Sequence, residues 1–544
     1  MASNSTAATP AEGVGAPANA KVVLGSLILV AAVANINLSV ANVALPSIGQ
    51  AFNASQLSLN LIAVGYSLGL AASVLWFGAL GDRYGRKMMI LLGMALAVPA
   101  SVVAGLAPST NILIVARLAG GLSAGLAYPT TLALITALWS GPARTRAIAL
   151  WAALGSGSAV LGPLVSGLLL EFFAWGSVFL VTIPFAILAL YLTRRYVPAH
   201  VNEGTEPVDN LGGVLSAVMI GALVVALNFI AVPDMRPLAV ALFVLALLTL
   251  VMFVERQYRA ANPLYDLRVA ARPTFWVAAS AGVIIFGSLM GIVFINQQYL
   301  QNVLGYGTLQ AGIAILPAAV LMVIVAPRSA KLVQERGSRA TLLLGQSLLA
   351  VSFVGMLLVW GQDTPYWIVA IPLILMGAGI GLSGTPSSNS LTASVPVRRV
   401  GMASGTADLQ RDLGGALMTS IFGALLTAGY ASAMGTAIAT SAQNVTASTQ
   451  SQLQLSYASA ANLAAANPQY ADQILSAARS SFLAGDTYAY VAGLIAVIVG
   501  ASLVYFFYPS KEDEERARAT YEAEDAAQGE LPDGAQPVRT SAGA

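Results

Sequence analysis

Apolar runs of about 20 residues, the length that crosses a hydrocarbon layer, recur along almost the whole of this chain. Fourteen can be counted: Val22–Ala44, Leu57–Leu80 and Met88–Leu106, then runs centred near Ala124, Ala159, Ile183, Ile220, Leu245, Ile285, Val320, Leu349, Ile374, Leu413 and Ala496. A chain patterned in this way is an all-α polytopic membrane protein. Composition agrees, since 57% hydrophobic residues, 9% charged residues and a mean hydropathy of +0.76 exclude a water-soluble globule of 544 residues. Zero cysteines exclude disulfide and thiolate chemistry, and the single histidine, His200, excludes a histidine-built metal site or triad, so no cofactor is expected. The net charge of +2 is dispersed among loops and offers no basic face to nucleic acid.

Lys and Arg test the count, because a missed or invented span would scramble their alternation between successive loops. Alternate loops carry Arg83, Arg86 and Lys87; Arg144 and Arg146; Arg194 and Arg195; Arg256, Arg259, Arg268 and Arg272; Arg328, Lys331, Arg336 and Arg339; and Arg398 and Arg399. The opposite loops carry only Arg236 and Arg479, so both termini are expected to be cytoplasmic. Val22–Ala44 is too long for a cleaved leader and is followed by more spans, which makes it span 1. The expected divisions are a disordered N-terminus (1–20), a six-helix bundle (21–197), a linker with two inserted helices (198–272), a second six-helix bundle (273–508, with an external insertion at 431–485) and a tail (509–544).

Between spans 2 and 3 lies Gly-Ala-Leu-Gly-Asp-Arg-Tyr-Gly-Arg-Lys, residues 78–87, which packs four charges into a very short turn. Gly78 and Gly85 suit close backbone approach and a tight reversal, while Asp82, Arg83, Arg86 and Lys87 can lock neighbouring helix ends. An ordinary positive loop would explain the cations but neither the glycines nor the aspartate. The stretch resembles the loop between helices 2 and 3 of the major facilitator superfamily, matched at Gly78, Asp82, Arg83, Gly85 and Arg86. The resemblance implies a gating latch. A degraded copy, Glu335-Arg336-Gly337-Ser338-Arg339, follows 253 residues later, and spans 1 and 9 begin 252 residues apart, near Val22 and Thr274. The chain is thus read as two six-helix halves with spans 7 and 8 inserted, the arrangement of the superfamily's fourteen-helix drug:proton antiporter branch.

Three further stretches resemble that branch: Asn42-Val43-Ala44-Leu45-Pro46 closing span 1; Tyr299 to Tyr306 closing span 9, with Gln310-Ala311-Gly312 and Leu316-Pro317 following; and Gly155, Gly162, Pro163 and Gly167 in span 5, which fit the antiporter signature. Ser158, Gly162 and Ser166, at spacings of four, also make a small-residue seam, and plain helix packing would account for the seam alone.

Charges at bilayer depth are costly, about 3 kcal/mol for an Asp even on lenient scales, and mark candidate function. Arg117 in span 4 resembles the branch's Arg-x-x-Gln-Gly site, linked in the family to proton transfer, with Gly120 in place of Gln. Asp408, Arg411 and Asp412 in span 13 share a helical face, so Arg411 can pair with one carboxylate at a time and leave the other as a candidate proton carrier; a neutralised structural pair is the competing reading. Glu171 is expected at an interface. Where the branch commonly has an acid in span 1, this chain has Asn37, which points either to coupling on span 13 or to a protein that is no proton antiporter for cations. By analogy with the fold, the central cavity would be lined by Asn35, Asn37, Ser39, Asn42, Tyr128, Asn296, Gln297, Gln298, Ser387, Ser388 and Asn389, amides and hydroxyls suited to a neutral or amphipathic solute.

The segment from Ala431 to Gly485 has partial helical periodicity broken at Asn467-Pro468, so one or two external helices are expected, either capping the exit or, the favoured reading, tolerated as an insertion. Asn444-Val445-Thr446 matches a glycosylation sequon by pattern alone. The tail from Ser510 reads as a solvated acidic helix fading into disorder. The expectation is a monomeric, multi-pass cell-membrane transporter exporting amphipathic small molecules by alternating access, with proton exchange as the drive. A facilitator or importer, a polytopic membrane enzyme, and a sensor or scaffold on a transporter fold are the alternatives.

Overall fold

The computed structural model describes residues 17, 19–139, 141–151, 154, 158, 161–199, 207–395, 400–441 and 445–527. Gly155, the sequon asparagine, His200 and nearly all of the N-terminal segment lie outside those residues. The helices are α1 Ala20–Phe52, α2 Gln56–Tyr84, α3 Arg86–Gly105, α4 Thr110–Leu138, α5 Gly141–Leu150, α6 Leu161–Phe172, α7 Ser177–Leu180, α8 Ile183–Tyr196, α9 Asn210–Phe229 and α10 Arg236–Arg259. They continue with α11 Leu267–Ala270, α12 Pro273–Gln298, α13 Thr308–Ile313, α14 Leu316–Val359, α15 Tyr366–Ala393, α16 Val400–Ala439, α17 Ala447–Leu455, α18 Tyr457–Ala466, α19 Ala471–Phe507 and α20 Lys511–Ala527. Starts are set by hydroxyl and carboxylate caps: Ser55 accepts from the Ser58 N–H, Ser109 from Ile112 and Asp209 from Gly212.

Twelve helical stretches among the described residues are long and apolar enough to cross a membrane, against the fourteen expected. One of the twelve, Thr308–Val359, is 52 residues long, and a short apolar helix, Leu161–Phe172, falls below the length. The long stretch is no straight rod. Gly337 interrupts α14 at φ 84°, and α15 carries Gly377 against Ala318 and Gly379 against Gly345. Ala318 and Gly345 would stand about 40 Å apart along one straight helix. Contact with residues two apart on α15 therefore requires the chain to fold back at Gly337. Gly85, at φ 110°, turns the chain between α2 and α3 in the same way. These two glycines sit 252 residues apart, the offset of the sequence repeat.

The inserted α9 packs on both halves: a Cβ on Gly213 would strike the Trp76 ring of α2 at 2.3 Å, and Asn228 donates to Ser420 Oγ of α16 at 2.8 Å. Its partner α10 exposes Leu238, Phe243, Leu247, Leu248 and Val251, the apolar surface a helix presents to lipid. Hydrogen bonds joining the halves gather on the face opposite the Asp82 turn. There Gln56 donates to Gln298 at 3.2 Å, Gln301 to the Val43 carbonyl at 2.9 Å and Asn60 to Thr427 at 3.1 Å. Two helices, α17 and α18, form the insertion. It lies against the first half, with Ser456 donating to the Ala54 carbonyl and Asn462 to that of Gln50.

Candidate functional site

At the Asp82 turn, Arg86 donates from Nε to Asp82 Oδ1 at 2.9 Å and from Nη1 to the Ala133 carbonyl of α4 at 3.2 Å. Lys87 donates to the carbonyls of Arg194 and Val197, at 3.0 and 2.7 Å, at the end of α8. Arg83 lies in the last turn of α2, where a cation complements the helix dipole. Asp82 is 52% exposed, so its ion pair is worth only about 0.3–0.5 kcal/mol. The turn thus positions α2, α3, α4 and α8 more than it stabilises them. The expected close approach is made by Gly81, whose Cβ would lie 2.9 Å from Thr130 Cγ2; at Gly78 a Cβ would meet nothing within 4 Å.

The seam on span 5 packs on α1 at every step: Ser158 donates to the Ala32 carbonyl, Gly162 lies where a Cβ would come 1.9 Å from Ser39 Oγ, and Ser166 donates to the Val40 carbonyl at 2.8 Å. The other side of the same helix meets the second half. Gly312 of α13 lies against the Pro163 carbonyl, Gly167 against that of Thr308, and Glu171 accepts from the Leu309 N–H at 3.3 Å.

Deeper between the halves, Arg411 donates to Tyr128 Oη at 3.1 Å and stacks over Phe286 at 5.3 Å. The expected ion pair with Asp408 or Asp412 is not formed: no such contact within 4 Å occurs among the described residues. The phenol of α4 lies within hydrogen-bonding distance instead. Asp408 and Asp412 are 7% and 3% exposed, and Asp412 Oδ2 has no hydrogen-bond partner. Asp412 and Arg411 line a small gap of about 10 Å³ with Leu38, Asn42, Ser67 and Thr419, room for about one water.

Arg117 belongs to a different gap, inside the first bundle. Its Nη1 donates to the Asn37 carbonyl at 2.7 Å, its guanidinium lies 4.8 Å from the Tyr66 ring centroid, and Nη2 has no partner. Asn37 lines that same gap, with Thr182 donating to its Oδ1, and not the one beside Asp412. Asn35 bonds back to the Ala31 carbonyl and Ser39 to that of Asn35. Asn296, Gln297 and Gln298 are wholly buried, with Gln297 donating to the Ala311 carbonyl. Asn389 is exposed, a correction to its cavity placement, because α15 turns it away from Ser387, which is buried and bonded to Gln410.

Two residues escaped the sequence reading. Gln410, one position before Arg411, bonds both Ser387 and Ser388 and presses on Gly282. Asp486 in α19 is 2% exposed with neither carboxylate oxygen partnered. Its signal was present, an acid immediately before an apolar run, but the polar insertion ending at Gly485 masked it.

Two packed halves with repeated glycine turns, and two buried carboxyls beside a half-buried arginine between them, are the architecture of a membrane transporter. The chain belongs to the Major Facilitator Superfamily, whose family model matches residues 27–419. It is 32% identical over 489 residues to the multidrug efflux pump LfrA of Mycolicibacterium smegmatis, covering 90% of this chain and 96% of that protein. It is 33% identical to the multidrug resistance protein Stp of Mycobacterium tuberculosis over 72% of each chain, and 31% identical to the methyl viologen resistance protein SmvA of Salmonella typhimurium over 82% of this chain and 90% of that one. Among solved structures, an inward-facing bacterial homolog of the human lysosomal transporter Spinster superposes with a TM-score of 0.62 at 16% identity, covering 92% of this chain and 98% of that one. This protein is therefore a multi-pass membrane transporter related to drug efflux pumps, and not an enzyme.

Proposed function

We propose that this chain exports amphipathic, drug-like or lipid-like small molecules across the cell membrane in exchange for protons, by alternating access of two six-helix bundles. The buried carboxyls of Asp408 and Asp412, placed beside an arginine that bonds the other half, carry the reading. With Asp412 neutral, Arg411 holds Tyr128 and ties α16 to α4. When Asp412 loses its proton, the guanidinium moves to the new carboxylate and releases the phenol, so one proton alters a contact between the halves. Each proton crossing 100 mV supplies about 2.3 kcal/mol, enough for a ~50-fold gradient of solute. Arg117 supports the first bundle. Gly78, Asp82, Arg83, Gly85 and Arg86 form the latch on the cytoplasmic face, and Gly162, Pro163 and Gly167 form the bearing between α6, α1 and the second half; Gly155 lies outside the described residues. Asn35, Asn37, Ser39, Asn42, Tyr128, Asn296, Gln297 and Gln298 come to the cavity as it opens.

In this reading the protein is a monomer with fourteen spans and both termini inside. Division of the long stretch at Gly337 adds one span to the twelve, and α5 with α6 supplies the other. The kinship with efflux and resistance proteins supports outward transport. Asn37 favours a second reading, a proton-independent facilitator. Cells expressing the protein and loaded with a fluorescent lipophilic cation separate the two: efflux against a gradient that stops on adding a protonophore supports the first, and equilibration indifferent to the protonophore supports the second.

A further inference from the structure

The acidic tail is helical and mostly exposed, as its sequence suggests, with one buried carboxylate that the sequence does not announce. Glu514 of α20 is 5% exposed. Its Oε1 accepts from Ser338 Oγ at 2.9 Å, from Tyr508 Oη at 3.2 Å and from Arg518 Nη2 at 2.5 Å. Ser338 is the residue after the Gly337 turn, and Tyr508 shares a 2.7 Å hydrogen bond with Ser390 near the end of α15. Burial first, and the Glu514 carboxylate second, push the Tyr508 phenol up, which keeps it a donor at physiological pH. Lys511 Nζ donates to the Gln334 carbonyl at 2.7 Å, and its Cβ would lie 2.9 Å from a Cβ at Gly337. Further along, the Arg272 guanidinium at the start of α12 lies 4.3 Å from the Tyr521 ring centroid. One 17-residue helix thus touches the start of α12 and both arms of α14, and through Tyr508, which follows α19, it reaches the end of α15.

The two copies of the glycine turn differ in their carboxylates. In the first, Asp82 at the end of one arm pairs with Arg86 at the start of the next. In the second, Glu335 pairs back along its own arm with Lys331 at 3.7 Å, while Arg339 turns to α19, donating to the Tyr505 carbonyl and lying 5.2 Å from its ring centroid. Among the described residues, no acid of the turn itself reaches across it.

We propose that α20 restores what the second copy lost: Glu514 is a positioning residue that supplies the missing carboxylate from the tail and, with Lys511, binds both arms of α14 and, through Tyr508, the ends of α15 and α19 into one rigid body. Bundles that rock must move as units, so the loss of Glu514 slows transport without touching the substrate site; that consequence rests on the transporter reading above, whereas the rigidity does not. The test uses the full chain, which has no native cysteine. Spin labels at Glu335→Cys and Asn389→Cys, both exposed, report the distance between α14 and α15. The expected result is a narrow distribution that broadens at least twofold in Glu514→Gln, with the maximal efflux rate falling about fivefold or more at unchanged KM. In membranes, a Ser338→Cys/Glu514→Cys pair should be slow when reduced and regain its rate when joined by oxidant or a short bismaleimide, which keeps the test open if Glu514→Gln fails to accumulate. An unchanged distance distribution in Glu514→Gln, or a joined pair that stays slow while wild type transports, overturns the proposal. Broadening in a protein whose wild type moves no solute would sink the transport reading and leave the positioning role standing.

Discussion

Arg411 stands within reach of two carboxylates and a phenol, and in this structure it bonds the phenol. A half-buried guanidinium between bundles needs compensation, and a hydroxyl that can be let go serves a moving interface better than a permanent ion pair, which is costly to break in a low-dielectric site. Tyr128→Phe removes this acceptor and keeps the ring's packing against Trp151. The expected outcome is a transporter of near-normal thermal stability whose efflux rate falls several-fold, measured by dye efflux beside a melting curve; equal rates would mean that the Arg411–Tyr128 contact has no part in the cycle. Arg117 offers a contrast. With one nitrogen unpartnered and Asn37 adjacent, it suits Asn37→Asp, whose new carboxylate would compensate the buried cation. That variant is expected to accumulate to wild-type levels with its melting temperature unchanged or a few degrees higher, and a clear fall would contradict the placement.

Among the elements, the glycines separate by what surrounds them. Gly85, at φ 110° and ψ 119°, occupies a region that L side chains avoid at about 1–3 kcal/mol, and Gly78 has open space where a Cβ would go. Gly85→Ala should therefore lower the melting temperature by several degrees, with Gly78→Ala close to neutral. Gly162→Val, forced against Ser39 on α1, should be worse than either, since overpacking costs about 1–3 kcal/mol or more. Detergent-solubilised melting curves rank all three. Legibility follows the same division. The Gly85 turn and its copy at Gly337 could be read because a glycine among charges between apolar runs admits few conformations, and the Ser158, Gly162, Ser166 seam because a spacing of four fixes a shared face. Helix rotation could not be read: Asn37 entered the gap of the first bundle and Asn389 faced outward because neighbouring side chains set each helix's azimuth. The docking of Glu514 was equally hidden, as its partners Ser338 and Tyr508 meet it only through tertiary structure.

At the scale of the molecule, the halves are fastened on the face away from the Asp82 turn, through Gln56–Gln298, Asn60–Thr427, Gln301–Val43 and the contacts of α6 with α13. Alternating access requires those contacts to part. Gln56→Cys paired with Gln298→Cys, joined by oxidant, should stop efflux at least tenfold, with recovery on reduction; a joined pair that still transports would mean that the halves do not separate there. The most direct measurement of the central claim uses purified protein in liposomes with a pH-sensitive dye inside, an imposed pH gradient, and a panel of lipophilic cations and neutral amphiphiles, with Asp408→Asn and Asp412→Asn alongside. Proton exchange centred on α16 predicts proton movement that depends on the solute and vanishes in Asp412→Asn. Solute equilibration with no proton movement from the wild-type protein would contradict it and leave a facilitator.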